Sequence, residues 1–94
     1  MRIERIDEPN KGRFVMWDGV AVAGQMTFSR TGSTRFIIDH TEVDDAYRGQ
    51  GIGLQLLEAV VTYARSEELK VIPLCPYAQA QFRKHEELRD VLDR

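Results

Sequence analysis

The residues Arg48-Gly49-Gln50-Gly51-Ile52-Gly53 alternate three glycines with other side chains just before a strongly helical segment, a spacing suited to holding an anion. Glycine reaches backbone angles closed to other residues and lets a ligand approach the main chain. The following helix adds unsatisfied N–H groups and the positive end of its dipole. Phosphate or pyrophosphate is the favoured guest of such a loop, and Arg48 at its lip adds a cationic contact. A second reactive group lies further on. Cys75 precedes Pro76, which suits the first position of a helix, so the thiol falls at or near an N-cap. A thiolate is favoured there and can act as a nucleophile, although an isolated cysteine is often a small buried hydrophobe. Two more titratable groups, His40 and Glu42, share a strand face with Ile38 by simple alternation.

These residues need a scaffold, and the hydrophobic pattern supplies one. Arg13 to Trp17 and Val20 to Phe28 read as strands joined by the Asp18-Gly19 hairpin signal. Arg30-Thr31-Gly32-Ser33 marks a second turn, after which Thr34 to Val43 forms a third strand of an antiparallel meander. Ile3 to Ile6 is a further edge segment. From Gly51 the period changes: Ile52, Leu56, Leu57, Val60, Tyr63 and Ala64 share one helical face, with Gln55, Glu58, Thr62 and Arg65 opposite. Leu69 to Cys75 then reads as a short buried strand beside the third, which makes a right-handed βαβ unit with a parallel strand pair. Pro73 cannot donate a ladder hydrogen bond, so the parallel strands are expected to part there. A short helix from Pro76 through Ala78, Ala80 and Phe82 follows, and the charged stretch from Glu86 to Arg94 has no clear assignment.

Ninety-four residues with 43% apolar content make one small α/β domain, spanning residues 1–94. The net charge of −2 argues against a nucleic-acid partner. One cysteine excludes an intramolecular disulfide, no secretion signal or bilayer-length apolar run is visible, and a reducing cytoplasm is the expected setting. The glycine loop fails two familiar tests. A Walker-type loop needs Gly-Lys-Ser/Thr, where Gly53 is followed by Leu54-Gln55. A dinucleotide fingerprint needs G-x-G-x-x-G, and only G-x-G-x-G is present. His40, His85 and Cys75 match no compact metal spacing, so no metal is expected.

The loop does resemble the Q/R-x-x-G-x-G/A signature of the GNAT N-acetyltransferase superfamily, in the strand, loop and helix context that signature occupies. Together with His40-Thr41-Glu42-Val43, Ile72-Pro73-Leu74-Cys75-Pro76-Tyr77 and Lys84-His85, it looks like the short single-domain members of that superfamily, over about Gly19 to Glu87. The resemblance implies a compact GNAT-like fold: an antiparallel meander leading into a βαβ unit with splayed parallel strands and a short C-terminal helix. It also implies acetyl-CoA as cosubstrate, bound by Arg48, Gly49, Gln50, Gly51, Ile52 and Gly53, with the pyrophosphate on the amides around Gln50 to Gly53. The pantetheine arm would pair with the backbone near Val43. Acetyl transfer to an amine needs a free nucleophile, oxyanion stabilisation and a proton for the departing thiolate. Cys75 would then accept the acetyl group or assist proton movement. His40 or Glu42 would be the base, and Tyr77 the acid or a packed aromatic.

Two departures from the larger superfamily members stand out. Asp18-Gly19 leaves no room for inserted helices, and too few residues follow His85 for a terminal strand pair. An open acceptor side is therefore expected, suited to a protein amine or completed by another subunit of a weak homodimer, if the chain is not a monomer. The rival function is a non-catalytic CoA- or acyl-CoA-binding module, and Cys75 discriminates between the two.

Overall fold

Turn residues and alternating apolar positions build the first four strands in succession, and a single crossover helix places the fifth. The computed structural model describes residues 1–93. β1 (Arg2–Asp7), β2 (Lys11–Asp18), β3 (Ala21–Thr31) and β4 (Arg35–Val43) pair antiparallel in sequence order, and β5 (Lys70–Pro73) lies parallel to β4. β1 is a full strand in register with β2 from Arg2 to Asp7, longer than the edge segment Ile3 to Ile6 read from sequence. The tight β2–β3 turn is shifted one residue from expectation. Asp18 pairs with Ala21, so Gly19-Val20 forms the loop, and Gly19 at φ 61° supplies the positive angle a glycine-first hairpin turn requires.

α1 (Ile52–Ser66) crosses from β4 to β5 and buries Ile52, Leu56, Leu57, Val60 and Ala64 against the sheet, as its period dictates. Phe14, Phe28, Phe36 and Tyr63 gather at the centre with ring centroids 5.2 to 6.2 Å apart. α2 (Pro76–Lys84) adds Ala78 and Phe82 to the same core. The charged stretch, whose last residue Arg94 lies outside the described residues, folds in its first part: a 3-10 helix, Glu86–Val91, buries Leu88 and Val91. Arg65 holds it by bonds of 3.0 and 2.7 Å to Asp90 and 2.7 Å to the Glu87 carbonyl. Leu92 then bridges Val71 at the outer edge of β5.

Two bulges alter the faces of the strands. Met16 pairs with Gly24 and Trp17 with Val22, leaving Ala23 extra in β3; Phe28 pairs with Ile38 and Thr27 with His40, leaving Asp39 extra in β4. An extra residue reverses the alternation beyond it. Thr41 and Val43, paired with Met26 and Gly24, therefore join Ile38 on the core face, while His40 and Glu42 face the other way, paired with Thr27 and Gln25. The shared face of Ile38, His40 and Glu42 expected from alternation is thus corrected. That second face of the sheet also carries Glu4, Arg13, Val15, Trp17, Gln25 and Thr27, and none of these belongs to the helix-packed core.

Candidate functional site

The glycine loop sits where β4 hands over to α1. A short 3-10 helix, Asp45–Tyr47, capped by Asp44 accepting from the Ala46 N–H at 2.9 Å, turns the chain outward before Arg48. Gly49 and Gly51 both adopt the left-handed region, at φ 81° and 72°, and no neighbouring side chain occupies the space above Gly49. Gly51 is the N-cap of α1 and has no side chain to satisfy the first amides of the helix. Its carbonyl takes the Gln55 N–H at 3.1 Å, and the Gln55 side chain donates to the Gln50 carbonyl at 3.2 Å, which fixes the loop. Arg48 pairs with Asp45 at 2.9 Å, with the two side chains 77% and 83% exposed. So exposed a pair contributes little and is readily exchanged for an anionic partner.

Gly53, in the first turn of α1, also makes room for a neighbouring ring. A Cβ placed there would come within 2.5 Å of the Tyr77 hydroxyl, so only glycine lets the tyrosine ring from α2 lie against this helix. Burial raises the Tyr77 phenol above its ordinary 10.0, and a thiolate at Cys75 would raise it further. The hydroxyl therefore keeps its proton throughout the neutral range.

Between loop and tyrosine the parallel strands separate. Their pairing runs from Arg35 opposite Lys70 to Ile38 opposite Pro73, and β4 continues to Val43 paired with β3 only. The parting falls where the sequence places it, for a different reason. Lys70 donates to Thr34, just before β4, at 2.9 Å and Leu74 to Ile38 of β4 at 3.2 Å, whereas the Val71 carbonyl accepts from Asp93 on the outer side. Alternation aims the ring nitrogen of Pro73 outward too, so the missing donor faces an edge, where proline is tolerated. The ladder ends because Leu74 and Cys75 both converge on the Ile38 carbonyl, at 3.2 and 3.1 Å, just as the Asp39 bulge bends β4 and Pro76 starts α2. Asp44 donates to the Ala23 carbonyl at 2.9 Å, so by alternation the main-chain groups of Val43 and Thr41 face the gap.

Cys75 is the N-cap of α2, as the sequence indicates, and is 5% exposed. Its Sγ lies 3.3 Å from Thr41 Oγ1, a partner made available by the bulge. No local signature marks Asp39 as an extra residue, so simple alternation favours His40 and Glu42 and hides Thr41 between them. His85 pairs with Glu87 at 3.2 Å beyond α2. Among the described residues no cluster of three or more His, Cys, Asp or Glu side chains could hold a metal, and no helix is long and apolar enough to cross a membrane.

A mixed sheet with one splayed parallel pair, flanked by a glycine-capped helix and a second helix starting at a thiol, makes a compact α/β domain with a gap between its parallel strands. The chain belongs to the GCN5-related N-acetyltransferase family, whose family description matches residues 13–91. It is 31% identical over 94 residues to Protein NATD1 of Mus musculus, covering all of this chain and 84% of the relative. A GCN5-like structure from Staphylococcus aureus is 34% identical, with a TM-score of 0.74 over 96% of this chain and 87% of its own. An IAA acetyltransferase from Bacillus cereus, at 21% identity, shares the fold with a TM-score of 0.69 over 88% of this chain and 73% of its own. Acetyl-CoA is the general cosubstrate of this fold.

Proposed function

We propose that this protein transfers an acetyl group from acetyl-CoA to an amine, and that Cys75 takes part. The observation that carries the reading is the alignment of three features along one path: the uncapped amides of α1, the gap beside Val43, and the thiol at the end of that gap. An extended cosubstrate with phosphates at one end and a thioester at the other suits that path. The amides around Gln50 to Gly53 would hold its pyrophosphate, and the backbone of Val43 would pair with the pantetheine as though with another strand. Open space above the left-handed Gly49 leaves room for the phosphates.

The acceptor amine attacks the thioester carbonyl, the carbon–sulfur bond breaks, and sulfur leaves with the electron pair. Tyr77, still protonated, supplies the proton to that thiolate. In the two-step route the Cys75 thiol takes the acetyl group as the CoA carbon–sulfur bond breaks, its proton passing to the departing CoA sulfur. The amine then attacks the Cys75 thioester, and the proton it loses returns the Cys75 thiolate to the thiol. His40 and Glu42 lie on the face away from the helices, the side from which an acceptor would approach. Either can take the amine proton there. That face lacks a helical cover, which favours a bulky acceptor such as a protein amine.

Intact-mass measurement after mixing with acetyl-CoA tests the reading, alongside turnover with a panel of amines. A single acetyl adduct that vanishes in Cys75→Ala supports the covalent route. Turnover without an adduct supports direct transfer. CoA binding with neither would establish the non-catalytic module, a reading favoured by the burial of Cys75 and its bond to Thr41. Absence of any heat on titration with CoA or acetyl-CoA would overturn both.

A further inference from the structure

β1 is an outermost strand of the sheet, and its outward edge is unpaired among the described residues. Glu8 donates to the Lys11 carbonyl at the turn, so by alternation Arg2, Glu4 and Ile6 turn their main-chain groups toward β2, and Ile3 and Arg5 turn theirs outward. Such an edge is a template for another strand. Its side chains form two rows. Arg2 and Glu4, opposite Trp17 and Val15, lie on the helix-free face, where the Trp17 indole N–H holds Glu4 at 2.9 Å. Ile3 and Arg5, opposite Met16 and Phe14, lie on the core face, and Ile3 is left 36% exposed beside Met1 at 62%.

Two copies of this edge can pair antiparallel about a twofold axis normal to the sheet, which keeps like faces together. Each register is then named by the residue on the axis. Centred on Arg2, Glu4 or Arg5, that residue meets its own charge; centred on Ile6, Glu4 meets Glu8; centred on Asp7, Asp7 meets Asp7. Only the register centred on Ile3 avoids every such clash between side chains. It sets Arg2 opposite Glu4 of the second copy twice, on the helix-free face, and Ile3 against Ile3 on the other. Met1 then lies along the Arg5 side chain. Its axis also falls on a residue whose N–H and C=O already point outward, so the two Ile3 residues can exchange a pair of ladder bonds. Opposite charges directly across an antiparallel pair stabilise it, and like charges destabilise it.

We propose that this protein forms a twofold dimer through β1, centred on Ile3, joining the two sheets edge to edge. The test is sedimentation velocity of the untagged chain from about 10 μM to 1 mM, with charge-reversed variants. Wild type should show a concentration-dependent dimer. Arg2→Glu and Glu4→Arg should each weaken it by roughly tenfold or more, because each opposes like charges twice. Mixing the two single variants should restore dimers, since each then meets its complement, and the double variant Arg2→Glu/Glu4→Arg should dimerise as wild type does. Recovery on mixing also shows that both single variants are folded. A chain that stays monomeric throughout, or a dimer indifferent to either reversal, would overturn the proposal, whatever the outcome of acetyl-CoA titration.

Discussion

At the scale of single residues, Cys75 touches Thr41 and the Tyr77 ring lies against Gly53. Thr41→Val preserves shape and removes the hydroxyl at 3.3 Å from Cys75 Sγ. It is expected to cost about 1 kcal/mol of stability and to slow formation of the Cys75 acetyl adduct, followed by time-resolved intact mass. Tyr77→Phe should lower turnover by about tenfold to a hundredfold, within the range for loss of a general acid. Because burial holds the Tyr77 phenol above 10.0, the fall of the wild-type rate at high pH should lie beyond that value and be absent from the variant. Gly53→Ala separates stability from catalysis. Alanine gains about 1 kcal/mol of helix propensity, and crowding against Tyr77 costs about 1 to 3 kcal/mol. The melting temperature should therefore move little or fall modestly, while displacement of the ring brings turnover to the Tyr77→Phe level.

At the scale of elements, most of the architecture was legible in periodicity and turn residues: four strands, the amphipathic helix, the parallel return and the proline-led second helix. Features set by long-range pairing were not. Asp39 is an ordinary polar residue in an unbroken strand pattern, and only its register against β3 makes it an extra residue, turning His40 and Glu42 away from Cys75 and Thr41 toward it. Deleting Asp39 leaves the β3–β4 register available but straightens β4 and removes the 2.6 Å bond from Ser29. The shortened protein should fold, with CoA affinity by titration calorimetry reduced at least about tenfold as the gap closes. The tail escaped sequence reading for a related reason, because its anchor, Arg65, lies a full helix and strand earlier. The Arg65 bond lowers the Asp90 carboxyl below its ordinary 3.8. This link contributes fully above that value and is lost as pH falls through the lower folded value. Thermal melts should thus show Arg65→Gln losing less stability than wild type on acidification from pH 5 to about pH 2.

At the scale of the whole molecule, helices pack on one face of the sheet and leave the other uncovered, the side proposed above for the acceptor. The uncovered face is not apolar. Arg13, Thr27 and His40 stand in one transverse row across β2, β3 and β4, with Gln25 and Glu42 in the next. A peptide amine laid across these rows meets charge of both signs, so Glu42→Gln should change acceptor preference in a peptide panel more than it changes CoA affinity. The geometry of that face has a further consequence. A twofold axis normal to the sheet leaves the uncovered faces of both copies looking in the same direction. An acceptor chain bearing several amines could then be gripped by one copy while the other reacts, so that each modification raises the effective concentration of the next. Doubly acetylated product would accumulate before the singly acetylated species is exhausted.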